Sequence, residues 1–576
     1  MNHRDRQPAD MTSPWRRRFL VALFGVLLSA LMLRAFYIQV WASDFLHRRG
    51  ERQQTRMVTL PAHRGRLLDR EGTPLAISAP VQAVCINPRE FRPDEAQLRR
   101  LARLLGKSPG KLARQIESHR RSAFLYLKRQ VPPGVAGEIA RLNLEGLFFR
   151  REFRRYYPMA EVTAHLLGFT DIDQHGQEGL ERRFEARLLG LPGKVKVIQD
   201  RRGRVIERLD TLQPPRPGHD IRLSIDRRLQ YRAYLELKRA VSEHRAKGGM
   251  LVLLDAHSGE ILAMANQPTF NPNVRPHRLR SGGYRNRVVV DSFEPGSTLK
   301  PLSMACALKS GAVRPRQIVD TRPGWMRVGR QRVRDHRNYG VLDLGGVLKF
   351  SSNVGITQVA LRMSPETFHA CLRELGIAAP TGIEFPGEAR GKLDPPAGWG
   401  RFEQATLSFG YGLTVSALQL ARAYTVFADD GVLHSVTLLP RDHDDKQVRV
   451  LPATVARNVR AMLEGVVSRK GTAWRARIPG YRVAGKTGTV KVAVAGGYAR
   501  HRYRALFVGM APASAPRLVM AVVIEEPGGK LYYGGQVAAP VFSRVMGLAL
   551  RLLGVPPDDI PGTGSAVLVK AGGGLG

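Results

Sequence analysis

Apolar residues fall along this chain in two regimes. The first is one long run. Phe19 to Leu33 carries no charge, Arg34 interrupts, and Ala35 to Trp41 continues with aromatic residues. A helix rising 1.5 Å per residue over this stretch can span about 30 Å of hydrocarbon. Arg34 lies near the far end, where a long cationic side chain can reach the interface. Tyr37 and Trp41 suit an interfacial aromatic belt, and Arg16, Arg17 and Arg18 ahead of the run place the N-terminus inside. No small-residue cleavage site follows the apolar core. The pattern therefore predicts a cytoplasmic tail over residues 1–18 and an uncleaved transmembrane anchor over 19–41. The bulk of the chain is then exported, as in a single-pass protein of a bacterial inner membrane with a periplasmic body.

The second regime is a succession of short apolar segments. Residues 42–220 form a first exported region, with polar helix-like stretches at Asp94 to Leu105 and Gly110 to His119. Pro214-Pro215-Arg216-Pro217-Gly218 cannot continue a helix and marks a domain boundary. Ile221 to Ile225 then alternates like a strand, and Asp226 is placed to cap a helix running toward His244. Met250–Leu254 and Ile261–Ala265, joined through Ser258-Gly259, read as a hairpin. Ala505–Val508 and Leu518–Ile524 read as two more strands, and Val537–Leu553 as a closing helix. Strands from both ends of a domain with a helical middle predict an α+β fold, an antiparallel sheet flanked by helices, over 221–557. Residues 558–576, ending Gly573-Gly574-Leu575-Gly576, read as a disordered tail.

Composition adds limits. With 43% hydrophobic and 24% charged residues among 576, the chain can bury a sizeable core. Lys plus Arg number 90 against 49 acidic residues, a net charge of +41. Such a balance invites a nucleic-acid partner, but the exported topology removes it. Cys85, Cys306 and Cys371 are the only cysteines and look unpaired, which excludes a disulfide-dense scaffold and a Cys-based zinc ribbon. No His-Glu-x-x-His or paired-Cys spacing is present, so neither metal nor cofactor is expected.

The chemistry concentrates in three places. In Glu294-Pro295-Gly296-Ser297-Thr298-Leu299-Lys300, a helix beginning at Ser297 would put Ser297 and Lys300 on one face. A Lys desolvated beside another cation loses its proton and can activate a Ser nucleophile. Ser351-Ser352-Asn353 supplies a hydroxyl and an amide. Lys486-Thr487-Gly488-Thr489 sits where a strand should lie, with Gly488 leaving room for substrate backbone. Together these resemble the Ser-x-x-Lys, Ser-Asp-Asn and Lys-Thr-Gly set of penicillin-binding proteins and serine β-lactamases, with Ser352 where that set has Asp. Gly480 to Thr487 also satisfies the P-loop pattern, but no helix N-terminus follows to cradle phosphate. Arg64-Gly65-Arg66 and Gly176 to Glu181, taken alone, read as solvated charged turns.

The resemblance extends beyond these motifs. Arg64 to Arg70, Arg155-Tyr156-Tyr157-Pro158, His165 to Thr170, Glu178 to Glu181, Phe409 to Gly412 and Tyr532 to Gly535 resemble segments of class B penicillin-binding proteins, most closely the FtsI cell-division type. The resemblance implies an elongated pedestal over 42–220 and a transpeptidase-like domain after it. It implies that Ser297 attacks the penultimate D-Ala carbonyl of a D-Ala-D-Ala stem peptide while Lys300 takes its proton. Ser351 and Lys486 would relay protons, and Asn353 would hold the substrate amide. Backbone N–H groups of Ser297 and Thr489 would form the oxyanion hole, and the Thr487 and Thr489 hydroxyls would grip the terminal carboxylate. Tyr503, Tyr532 and Tyr533 would either line the site or pack in the core. The implied partners are β-lactam antibiotics, an FtsW-type glycosyltransferase and other division proteins. A D,D-carboxypeptidase or a β-lactam-binding sensor or scaffold of the same fold is the alternative.

Overall fold

The N-terminal apolar run is helical from Pro14 to Phe36 (α1) and continues as a wider turn to Trp41. This helix is long and apolar enough to cross a membrane. The computed structural model describes residues 14–41, 55–199, 205–274, 283–441, 447–494 and 496–559. Of the expected tail 1–18, the last five residues already belong to α1, and residues 1–13 lie outside the described residues.

The chain divides into two compact units. The first comprises Met1–Ala62, Gln82–Glu152 and Leu191–Arg216. Its helices Glu95–Leu105 and Pro109–Glu117 follow the apolar periodicity. Asp94 caps the first by accepting from Gln97 N at 2.7 Å, while Gln97 Oε1 accepts from Asp94 N at 3.0 Å. Leu101, Leu105, Leu112 and Ile116 on these helices pack with Val84, Ile86, Leu127 and Ile139 in one apolar cluster. Strands Thr55–Leu60, Gly193–Gln199 and Val205–Gln213 form a separate antiparallel sheet.

The second unit comprises His63–Val81, Phe153–Gly190 and Pro217–Gly576. Asp226 caps helix α2 (Arg227–Glu243), its carboxylate accepting from the Arg228 and Leu229 amides. Only Ile221 and Arg222 of the expected 221–225 strand are extended in a ladder; Asp226 ends it by starting the helix. Five antiparallel strands follow: β1 (Gly248–Asp255), β2 (Ile261–Gln267), β3 (Ala484–Val494), β4 (Gly497–Ala511) and β5 (Leu518–Glu525). Their order is β2-β1-β5-β4-β3, so the two ends of the domain meet where β1 pairs β5. Every residue of β1 and β5 is buried, because helices cover both faces. On one face helices α2 and α7 (Ala539–Leu552) pack together, with Phe542 edge-on to Phe507 at 4.7 Å. Helix α6 (Ala417–Ala428) covers the other face. Strand β3 is left as an edge. The G-x-x-x-x-G-K-T string runs into that strand, and Lys486 and Thr487 are strand residues, not a phosphate-cradling loop.

Two expectations change in this unit. The Arg64 and Glu181 segments are not solvated turns. Arg64 Nε and Arg155 Nε donate to the two carboxylate oxygens of Glu181 at 2.7 and 2.6 Å, and all three residues are buried. Arg64 also donates to the Glu181 and Gln174 carbonyls, and Arg155 to the Gly65 carbonyl. The cysteines are not all unpaired either. Cys306 and Cys371 form a disulfide between helix α3 (Lys300–Lys309) and helix α5 (Pro365–Glu374), leaving Cys85 as a free, buried thiol. At the far end, Asp558 is tied to Arg482 N and to Ser514, while the rest of the expected tail, 560–576, lies outside the described residues.

Candidate active site

Ser297 does not begin an α-helix. It lies in a 3-10 turn, Gly296–Leu299, and α3 starts at Lys300, one tight turn later. The turn is pinned from three sides. Thr298 Oγ1 donates to Pro295 O at 2.7 Å, Tyr424 Oη of α6 donates to Thr298 O at 2.6 Å, and Gly296 N donates to Gly410 O at 3.0 Å. Gly488 of β3 faces this turn: a methyl group there would lie 3.0 Å from Thr298 Cγ2 and 3.2 Å from Pro295 O. Gly488 therefore lets the Gly296–Leu299 turn approach the strand edge, a different reason from the expected room for substrate.

Lys300 is fully buried. Its Nζ donates to Ser351 O at 2.5 Å, Asn353 Oδ1 at 2.7 Å and Ser351 Oγ at 3.2 Å. Lys486 is also buried, and its Nζ donates to the same Ser351 Oγ at 3.0 Å. Burial lowers the pKa of Lys486 to about 7. Burial, and then the charge of Lys486, push Lys300 well below the ordinary lysine value, against a smaller opposing pull from Asp335. Two ammonium groups sharing one hydroxyl disfavour each other's charge, the condition under which a lysine becomes a base.

Ser351 reaches this position through strained backbone, φ 61°, a left-handed conformation for a residue with a side chain. That conformation puts its carbonyl on Lys300 while its hydroxyl sits between the two lysines. Ser352 then caps helix α4 (Asn353–Ala360), its Oγ accepting from Gly355 N at 2.8 Å. Asp335 braces the same corner. One carboxylate oxygen accepts from Ser352 Oγ at 2.6 Å, and the other from the amides of Asn353 at 2.5 Å and Val354 at 3.0 Å. Sequence reasoning missed Asp335; it lies well outside the Ser351 motif and no local pattern links them.

A cleft of about 660 Å³ opens on these groups, lined by Ser297, Ser351, Asn353, Thr487, Thr489 and the tyrosines. Thr487 Oγ1 donates to Thr472 Oγ1 at 3.0 Å, and Thr489 Oγ1 accepts from Gly534 N at 3.0 Å. Edge strand β3 turns alternate backbone groups away from β4 and toward the cleft. Tyr503, Tyr532 and Tyr533 form a continuous stack, 4.4 and 4.5 Å between ring centroids, and none is in the core. The Tyr532 hydroxyl donates to that of Tyr533, which raises its pKa. The hydrogen bond that Tyr498 Oη donates to Glu294 Oε1 at 3.0 Å, three residues ahead of Ser297, was not anticipated either. Among the described residues no group of His, Cys, Asp or Glu is arranged to hold a metal ion.

This fold and this site define a serine acyl-transfer protein with two buried lysines. Residues 249–547 match the penicillin binding protein transpeptidase domain, and 59–223 the penicillin-binding protein dimerisation domain. The chain is 42% identical over 561 residues to the probable peptidoglycan D,D-transpeptidase PenA of Neisseria meningitidis, covering 97% of this chain and 96% of that one. It is 38% identical over 568 residues to the peptidoglycan D,D-transpeptidase FtsI of Escherichia coli K12, covering 98% and 96%. The apo transpeptidase domain of Burkholderia pseudomallei penicillin-binding protein 3 superposes with a TM-score of 0.55 at 43% identity, over 59% of this chain and 98% of that one. The chain belongs to the penicillin-binding protein transpeptidase family.

Proposed function

We propose that this protein is a peptidoglycan D,D-transpeptidase that cross-links stem peptides through an acyl-enzyme on Ser297 during cell division. The observation that carries the reading is the convergence of Lys300 and Lys486 on Ser351 Oγ, in the cleft that Ser297 lines. Neutral Lys300 takes the hydroxyl proton as Ser297 Oγ attacks the penultimate D-Ala carbonyl. The Ser297 and Thr489 N–H groups hold the resulting oxyanion. Ser351 and Lys486 pass a proton to the departing D-Ala nitrogen, and the C–N bond breaks. Asn353 holds the peptide amide, and the Thr487 and Thr489 hydroxyls hold the terminal carboxylate. An amine of a second stem peptide then attacks the ester, regenerates Ser297 and leaves a new amide. β-Lactams enter the same path and stop at the acyl-enzyme.

Helix α1, with Arg16 to Arg18 at its start, supports a single-pass anchor in the bacterial inner membrane with the N-terminus cytoplasmic and the body periplasmic. The relatives named FtsI support a place in division, and the proposal includes an FtsW-type glycosyltransferase as the source of glycan strands. Intact mass after penicillin treatment, with peptide mapping, tests the nucleophile. One adduct on the Ser297 peptide is expected, and none in Ser297→Ala; labelling that persists in the alanine variant overturns the assignment. Cross-linked product from lipid-linked precursor and a glycosyltransferase tests the reaction.

A further inference from the structure

The cleft does not end at the catalytic groups. It continues into an annex of about 380 Å³ that shares His336, Tyr339, Phe350, Thr472 and Tyr533 with it and adds Arg337 and Lys470. Thr487 Oγ1 bonds Thr472 Oγ1, so the annex lies at the Thr487 end of strand β3, while Lys491 and Tyr411 line the other end. Among the described residues no carboxylate lines either cavity. Arg337 and Lys470 have no carboxylate partner among the described residues. Arg337 lies over the Tyr339 ring at 5.3 Å, and Tyr339 stacks on Phe350 at 5.4 Å and 12°, which holds the guanidinium at the annex rim. The nearby carboxylate of Asp335 is engaged by Ser352 and two amides.

We infer that this annex is the acceptor subsite and takes an anionic acceptor peptide, whose free carboxylate pairs with Arg337 and Lys470. The inference rests on the transpeptidase reading above, in particular on Thr487 and Thr489 holding the carboxylate of the departing residue. That residue leaves toward the Thr487 end of the strand. The attacking amine must approach the ester along the path by which the leaving amine departed, because aminolysis reverses the geometry of acylation. The body of the acceptor therefore extends past Thr487 and Thr472 into the annex, where the two cations without a carboxylate partner among the described residues await a negative charge. In the covalent step the acceptor nitrogen forms an amide with the acyl carbon, the Ser297 ester bond breaks, and the amine proton returns to Ser297 Oγ through the site's bases.

The test uses the full chain in detergent with a thioester donor and two acceptors: a tripeptide ending in a diamino diacid, and the same tripeptide with its carboxylates amidated. The wild type should prefer the free acid. Arg337→Gln with Lys470→Gln should raise the half-saturating concentration of the free acid roughly tenfold, since two exposed pairs are each worth up to a factor of about five. The same variant should leave the amide acceptor and penicillin acylation unchanged. Equal use of both acceptors by the wild type, or unchanged preference in the double variant, overturns the annex assignment while leaving the transpeptidase reading intact. A parallel loss of penicillin acylation also overturns it, because the residues would then serve the donor side. Hydrolysis with no aminolysis of either peptide in the wild type overturns both readings.

Discussion

Asp335 accepts a 2.6 Å hydrogen bond from Ser352 Oγ across 17 residues of sequence, and caps the helix that carries Asn353 with its other oxygen. The corner that carries Ser351 and Asn353 is thus held by a residue that does not itself line the cleft. Asp335→Ala should lower the second-order rate of penicillin acylation at least tenfold, since small displacements of a catalytic group are costly. It should also reduce stability by about 2 kcal/mol, the scale of a charge-assisted hydrogen bond. Asp335→Asn, which keeps an acceptor oxygen, should recover part of the rate. An alanine variant that acylates at the wild-type rate would remove Asp335 from this role.

The lowered pKa of Lys486 makes both activity and stability depend on pH. Unfolded lysine titrates near roughly 10.4, whereas in the folded protein Lys486 releases its proton at about 7. Between these values the unfolded state binds more protons, so stability rises with pH across that window. Below about 7 both states are protonated and the cost of the buried charge is complete. Lys486→Met should therefore show its largest stabilising effect on Tm near pH 6.5 and a shrinking one toward pH 9.5. The wild-type acylation rate should fall toward acid pH as Lys300, also held well below the ordinary lysine range, regains its proton. A pH-independent difference in Tm between the two proteins would contradict this account.

The disulfide closes a loop of 65 residues that contains Asp335, Ser351 and Asn353. In the chain-entropy treatment its loss costs about 4 kcal/mol. Reductant, or Cys306→Ala with Cys371→Ala, should lower Tm sharply, while Cys85→Ser should not reproduce the effect. Burial raises the Cys85 thiol to about 12, so it should resist alkylation in the native protein. Unfolding without reductant should expose one reactive thiol per chain, and unfolding with reductant three. Three thiols without reductant would mean that the bridge is absent.

Glu181 pairs with two buried guanidinium groups at once, and Glu185 shares Arg64 at 2.7 Å. Glu181→Gln should destabilise the protein by about 3–5 kcal/mol, the range for breaking a buried ion pair by removing one partner. Thermal unfolding and protease sensitivity would measure it. Wild-type stability in this variant would mean that the cluster is solvated.

Gly488 sits on strand β3 against the Gly296–Leu299 turn that carries Ser297. A methyl group there meets Pro295 O at 3.2 Å, backbone that cannot rotate aside. Gly488→Ala should displace the turn and slow acylation on the order of a hundredfold, with near-native circular dichroism. Unchanged acylation would show that the turn yields without consequence.

Much of the architecture is written locally. The α1 run, the Asp226-capped helix, the hairpin of β1 and β2 and the two late strands follow from short-range periodicity and caps, and the structure reproduces them. The Ser297, Lys300, Ser351, Asn353, Lys486 and Thr487 motifs could be picked out because each is compact in sequence, and the structure brings them to one cleft. What was not legible is long-range. Nothing near Cys306 announces Cys371, nothing near Ser352 announces Asp335, and Arg64 beside Gly65 reads as a surface turn until Glu181 arrives to neutralise it.

By itself, then, the sequence determined which segments are helical or extended, which run can enter a membrane, and which side chains can carry acyl-transfer chemistry. Those depend on residue type and spacing over a few turns of chain. Only the tertiary structure decided that two lysines 186 positions apart would share one serine hydroxyl. It alone also decided that Arg337 and Lys470, beside Thr487, would have no carboxylate partner among the described residues. Desolvation and the mutual repulsion of charges exist only once distant segments are brought together away from water.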